Sequence, residues 1–241
     1  MRVVLTTVFL LAATMIAISQ NFVVDKVATN NSEVAITFIG HGSLMMEYDG
    51  KTLHIDPSSR EADYSKLPDA DLVLITHHHG DHCDPKAYGE VANENTMTFL
   101  TQLAKDKLEE GTVIKNGESV SYGWVNIEAI PAYNLVHKRD NGEFFHPKGC
   151  CNSYVITIDG LRIFIGGDTE NTPEMKALKN IDIAFLPMNL PYTMTPEMVT
   201  DAAKAFKPKV LYPYHYGSTN VDDLLKLMED EPSVEVRVRK M

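Results

Sequence analysis

Asp71-Leu72-Val73-Leu74-Ile75-Thr76 runs directly into His77-His78-His79-Gly80-Asp81-His82. Leu72 to Ile75 are apolar and branched, and the first six residues hold no Gly or Pro, which predicts a short buried strand. The next six form the pattern His-x-His-x-Asp-His. His77 and His79 stand two apart at the strand end, so in extended backbone they point to the same side. Asp81 and His82 turn back toward the same space. One cation can take the first pair and a second cation the other. A run of histidines is often a solvated loop or a terminal tag. This one is internal and sits behind a strand, which favours a metal site.

Length and composition set the frame. The chain has 241 residues, 44% of them hydrophobic and 23% charged, which is ordinary for a globular protein. Its formal net charge is -11. An acidic surface without a basic patch repels phosphate backbones, so a nucleic-acid partner is disfavoured. Residues 1–19 have one charge, Arg2, then a mostly apolar run and the small-x-small pattern Ala17-Ile18-Ser19. This reads as a signal peptide, with export to the periplasm or beyond and no stable membrane span after cleavage. An uncleaved N-terminal anchor is the alternative. Residues 20–241 then form one domain. Oligomeric state is not legible. Cys83, Cys150 and Cys151 are an odd number and read as small apolar fillers.

Along the chain, hairpin signals dominate. Asp49-Gly50 and Asp159-Gly160 each lie between two apolar runs, where both turn positions favour positive φ. Asn116-Gly117 reads as a further hairpin turn. Strands are predicted over 34–39, 44–48, 52–55, 72–76, 97–100, 154–158, 161–165, 181–186, 210–214 and 234–238. Thr101 to Glu110 reads as a helix capped by Gly111. Thr172-Pro173-Glu174 and Thr195-Pro196-Glu197 carry N-cap, first-turn Pro and early acid. A last helix is predicted over 220–229. Both halves show a hairpin ending at an Asp (Asp56, Asp168), then a strand ending at a His (His77, His215). That layout predicts two sheets meeting edge to edge, helices outside and a site at one rim.

A two-metal site needs more ligands than the cluster supplies. Asp168 follows Ile163-Phe164-Ile165 and two glycines, which allow close backbone approach. His215 ends the run 210–214. His146 lies in the irregular stretch 131–149 beside Pro147, with His137 as its rival.

Taken together, Thr76 to His82, His146, Gly167-Asp168-Thr169 and His215 resemble the metallo-β-lactamase-fold hydrolases. Gly40-His41, Asp49-Gly50 and Asp56-Pro57 resemble the branch containing ascorbate-6-phosphate lactonase, and N-acyl phosphatidylethanolamine phospholipase D is a more distant likeness. The resemblance implies an α/β fold, the four-layer αββα sandwich. It implies that His77, His79 and His146 hold one metal, that Asp81, His82 and His215 hold another, and that Asp168 bridges them. Asp56 would orient a ligand histidine. An Asp at the bridging position separates this chain from true β-lactamases of the fold.

The chemistry this implies is a metal-bridging hydroxide attacking an ester, lactone or phosphodiester, with Asp81 and Asp168 at the reacting centre. Two divalent ions are expected, zinc on the imidazole-rich donor set, with Mn or Fe as alternatives. His41, Tyr192 and Tyr216 are candidate donors to a small-molecule or lipid-derived substrate. The rival reading is a non-catalytic metal-binding protein of the same fold.

Overall fold

The computed structural model describes residues 20–241. Residues 1–19, where the sequence suggests a signal peptide, lie outside the described residues. Two mixed seven-stranded sheets, flanked by helices, make up the α/β sandwich. The first sheet runs in chain order through β1 (Val23–Ala28), β2 (Glu33–Gly40), β3 (Ser43–Tyr48), β4 (Lys51–Ile55), β5 (Leu72–Leu74), β6 (Met97–Leu100) and β7 (Thr112–Val113). The second holds β8 (Ser119–Tyr122), β9 (Val125–Ala132), β10 (Cys151–Ile158), β11 (Leu161–Ile165), β12 (Ile183–Pro187), β13 (Val210–Tyr214) and β14 (Glu235–Val236). In both sheets the first four strands pair antiparallel and the last four parallel. Parallel pairing brings the carboxyl ends of neighbouring strands to one edge, where ligands collect in open α/β sheets. Asp56 follows β4, His77 follows β5, Asp168 follows β11 and His215 follows β13.

The sheets stack face to face, not edge to edge as the duplicated layout suggested. Side-chain alternation shows why. Ile163, Ile165, Ile183, Phe185, Tyr212 and Tyr214 point into the core shared with Leu72 and Leu74 of the first sheet. Their neighbours Phe164, Ala184, Leu186 and Leu211 point the other way, into a second core under α3 (Pro173–Lys176), α4 (Pro196–Phe206) and α5 (Val221–Met228). Val73 and Ile75 likewise face away from the shared core, toward α1 (Pro85–Val91) and α2 (Gln102–Leu108). A strand apolar on both faces must be covered on both, so each sheet takes the other on one side and helices on the other.

Local signals behave as their chemistry requires, with a few exceptions. Asp49 and Gly50 have φ of 47° and 71°, the left-handed pair of a tight hairpin. The Thr172 and Thr195 side chains cap their helices, each accepting from the third residue onward. Asp84-Pro85 opens α1 by the same chemistry, and the sequence reading missed it. α2 ends earlier than expected, at Glu109 with φ 62°, because the left-handed cap comes before Gly111. Asn116-Gly117 is not a hairpin within one sheet. It carries the chain from β7 in one sheet to β8 in the other, and the Gly117 N–H donates to the Ala129 carbonyl. Among the described residues no helix is long and apolar enough to cross a membrane.

Candidate metal centre

Two sets of donor atoms converge at the strand-end rim. His77, His79, His146 and Asp168 form one, and His41, Asp81, His82 and His215 the other, with the atoms of each set within 4.8 Å of one another. In the first set His79 Nδ1 lies 3.1 Å from His77 Nε2 and 3.2 Å from His146 Nε2. His146 Nε2 lies 3.2 Å from Asp168 Oδ2. In the second set Asp81 Oδ2 lies 3.3 Å from His41 Nε2, 3.8 Å from His82 Nε2 and 3.7 Å from His215 Nε2. Ligand atoms 2.0–2.1 Å from a tetrahedral zinc stand roughly 3.3–3.4 Å apart, and these spacings are of that order.

Asp168 touches both sets. Its Oδ2 faces His146 and His77, while its Oδ1 lies 3.3 Å from His82 Nε2 and 3.4 Å from His215 Nε2. These last three atoms are buried and make no hydrogen bond of acceptable geometry. Close approach without hydrogen-bond alignment is the arrangement of ligands around an ion.

Tautomers follow from the hydrogen bonds behind the rings. His82 Nδ1 lies 2.8 Å from Asp56 Oδ2, so it carries the proton and Nε2 presents a lone pair. Asp56 also accepts from the Thr76 N–H and hydroxyl, at 2.7 and 2.6 Å. With its proton given to Asp56, Thr76 Oγ1 accepts from His77 Nδ1 at 3.1 Å, and His77 Nε2 is left as a donor atom for a metal. His146 Nδ1 meets Asn134 Oδ1 at 3.0 Å. The Asn134 amide nitrogen donates to Glu170 Oε1 and the Tyr192 carbonyl, which fixes which way that amide points. His82 Nε2, His77 Nε2 and His146 Nε2 are thus all lone pairs turned toward carboxylate oxygens of Asp168, a packing that repels unless a positive charge lies between. The residues fit a pair of divalent cations.

The electrostatics agree. Burial, then the neighbouring His82, holds His77 well below the usual histidine range. Burial, then His146, lowers His79 to about 4. Both are neutral at physiological pH, as metal-ligating imidazoles must be. Burial opposes charge on Asp168, yet His215 and His82 outweigh it and keep the carboxyl well below its ordinary range. His82 goes the other way: burial is outweighed by Asp168 and Asp56, which favour positive charge at this point.

Backbone geometry positions the rings. His41, Asp56 and His215 all sit at strand ends with left-handed φ of 50°, 47° and 45°. Such strain costs of order 1–3 kcal/mol per residue and collects at functional sites. Gly42 is required by contact, since a Cβ there would lie 2.7 Å from His82 Cε1.

A cavity of about 530 Å³ opens over both sets. Tyr192 lines it, with its ring edge-on to Phe145 at 5.0 Å. His41 also lines it and joins the second donor set, 3.7 Å from His215 ring to ring, closer to the ligand shell than the sequence reading put it. Tyr216 is turned away and donates to the Arg239 carbonyl at 3.0 Å. His137 is outside both sets, with Nδ1 2.8 Å from Glu170 Oε1. Cys83 is a buried core residue whose thiol burial pushes up to about 11. Sequence reading missed Asn134 and Glu170. Buried Glu170 accepts the backbone N–H groups of Leu135, Val136 and His137, and so ties down the loop that delivers His146. Only an acidic residue two positions after Asp168 hinted at it.

Comparison with known proteins places this site in context. Residues 35–215 match the beta-lactamase superfamily domain. The chain is 30% identical over 195 residues to a UPF0173 metal-dependent hydrolase of Ligilactobacillus salivarius, spanning 76% of this chain and 85% of that one. It superposes on the crystal structure of a proposed metal-dependent hydrolase from Parabacteroides distasonis with TM-score 0.88 and 47% identity, over 92% of this chain and 100% of the other. Igni18, a metallo hydrolase of Ignicoccus hospitalis, shares the fold at TM-score 0.69 and 24% identity, over 86% of this chain and 95% of its own. The chain belongs to the beta-lactamase superfamily and, within it, to the UPF0173 metal-dependent hydrolases.

Proposed function

We propose that this chain is a dinuclear hydrolase of esters, lactones or phosphodiesters. The observation that carries this reading is Asp168, one carboxylate with an oxygen turned to each donor set. When bound, two divalent cations supply the Lewis acidity and the lowered water pKa that such hydrolyses need. His77, His79 and His146 would hold one cation and His82, His215 and Asp81 the other, with Asp168 able to face both. Asp56, Thr76 and Asn134 keep the ring protons on the far nitrogens. Asp81, half-buried and lining the cavity, would position the attacking water as well as hold the cation. His41 Nε2, 3.3 Å away, holds that carboxylate in place. Tyr192 stands at the mouth, placed to touch a small-molecule or lipid-derived substrate. The imidazole-rich donor set favours zinc, with Mn or Fe as the alternatives. The N-terminal segment 1–19 supports export, tested by N-terminal sequencing of the secreted form.

The test is a substrate panel run on protein of known metal content. Close to two metals per chain, with turnover of a lactone or a chromogenic ester or phosphodiester, is the expected result. Two bound metals and no turnover across the panel would leave a metal-binding protein without catalysis.

A further inference from the structure

The described residues contain five arginines. Arg162, Arg237 and Arg239 each pair with a carboxylate, at 2.9, 2.7 and 2.8 Å. Among the described residues Arg60 and Arg139 have no carboxylate within ion-pair distance, and both line the cavity over the metal centre. In a chain of net charge -11, carboxylate partners are plentiful. That both unpaired guanidinium groups border the same cavity therefore points to a ligand as their partner.

Both side chains are exposed, and Arg139 is held from behind. Arg60 leaves the loop after β4 and lies across the ligand loop, its Nη2 3.6 Å from where a Cβ on Gly80 would stand. Arg139 rides on the small hairpin closed by the Lys138–Phe144 bridge, with its backbone N–H donating to Glu143 at 2.7 Å. Its guanidinium stacks on Phe145, 5.0 Å from the ring centroid, and Nη2 donates to the Phe145 carbonyl at 3.4 Å. No other acceptor within the described residues takes up its remaining N–H groups. Phe145 in turn packs on Tyr192. A guanidinium is a planar fork matched to carboxylate or phosphate oxygens, and stacking fixes its plane in advance.

We infer that Arg60 and Arg139 bind an anionic group of the substrate, a carboxylate or phosphate set apart from the scissile bond. The substrate class is then a small anionic ester, small enough for a cavity of about 530 Å³. This rests on the hydrolase reading and narrows it. The two positive charges also offset, at the cavity alone, the field of an acidic chain that otherwise repels such a substrate.

The test compares two esters with one leaving group, mono(4-nitrophenyl) succinate and 4-nitrophenyl butyrate, on wild type, Arg60→Gln, Arg139→Gln and the double variant, all with metal content measured. The ratio of kcat/KM for the anionic over the neutral ester falls about tenfold per arginine, the equivalent of ~1.4 kcal/mol. Isothermal titration of the metal-loaded protein with succinate and with glycerol 3-phosphate gives a readout independent of turnover. Affinity for the matching anion drops about tenfold in each variant, and the probe that suffers more tells carboxylate from phosphate. An unchanged ratio, unchanged affinities, or no binding of either anion by wild type overturns the inference. Loss of turnover toward both esters while the arginines still govern anion binding counts against the hydrolase reading instead.

Discussion

His82 Nε2 and Asp168 Oδ1 lie 3.3 Å apart, both buried and neither hydrogen-bonded, with the His82 proton held on the opposite nitrogen by Asp56. In a low-dielectric interior this contact needs a positive charge, either a second proton on His82, which Asp168 and Asp56 favour, or a cation. A cation that displaces that proton would take both atoms as ligands.

Asp168→Asn keeps the shape of the side chain and removes the charge between the donor sets. At least one metal per chain is lost, measured by elemental analysis, and activity falls by roughly 100-fold or more, the upper end of what even supporting residues cost.

His146→Ala removes a donor atom 3.2 Å from both His79 Nδ1 and Asp168 Oδ2, and metal content drops. His137→Ala takes one partner from the buried Glu170 carboxylate and costs ~1–3 kcal/mol in urea unfolding, with metal content retained. The reverse pattern would mean that His137 is the ligand.

Asp56→Asn keeps an acceptor oxygen but loses the charge that orders His82 Nδ1 and Thr76. Metal affinity weakens by about 10–100-fold in a chelator competition. An unchanged affinity would show that the His82 tautomer is set by something else.

Gly42→Ala brings a methyl group to 2.7 Å from His82 Cε1. The ring must move, so stability falls by ~1–3 kcal/mol and metal is held less tightly. Wild-type metal content and melting temperature in this variant would contradict the contact.

His54 is buried in β4, away from the metal centre, with Nε2 3.0 Å from the Pro68 carbonyl. Burial lowers it from 6.5 to about 4. The unfolded chain therefore binds more protons than the folded one between those values, and stability falls as pH drops through that window. The contribution reaches roughly 3 kcal/mol at the acid end. Unfolding free energies of wild type and His54→Gln, measured from pH 7 to 4, should converge toward low pH; parallel curves would show that His54 titrates alike in the folded and unfolded chain.

The strands were legible because apolar periodicity is a local property. Leu72 to Thr76, the two Asp-Gly hairpins and the Thr-Pro helix starts each carry their own chemistry within a few residues. Where reading failed, the deciding contact lay elsewhere in the chain. Asn116-Gly117 has hairpin composition, but the strands on either side pair in different sheets. The face-to-face stacking depends on both faces of β11 to β13 being apolar, and a continuous apolar run does not say what covers each face.

The site divides in the same way. His77, His79, Asp81 and His82 announce themselves by spacing, since a strand end and one turn suffice to gather them. Asp168, His146 and His215 follow from strand ends and the irregular loop, and His41 from its place after Gly40, whereas Asn134, Arg60 and Arg139 carry no local signature. Arg60 and Glu170 arrive behind the ends of β4 and β11, His41 behind β2, and Asn134 and Arg139 on the connection from β9 to β10. By itself the sequence determined that a metal-binding strand end exists. Tertiary structure decided which atoms face which, that Asp168 turns one oxygen to each set, and that two unpaired arginines overlook them. Ligand identity follows from side-chain chemistry, whereas convergence follows from strand register over more than a hundred residues, which no local pattern encodes.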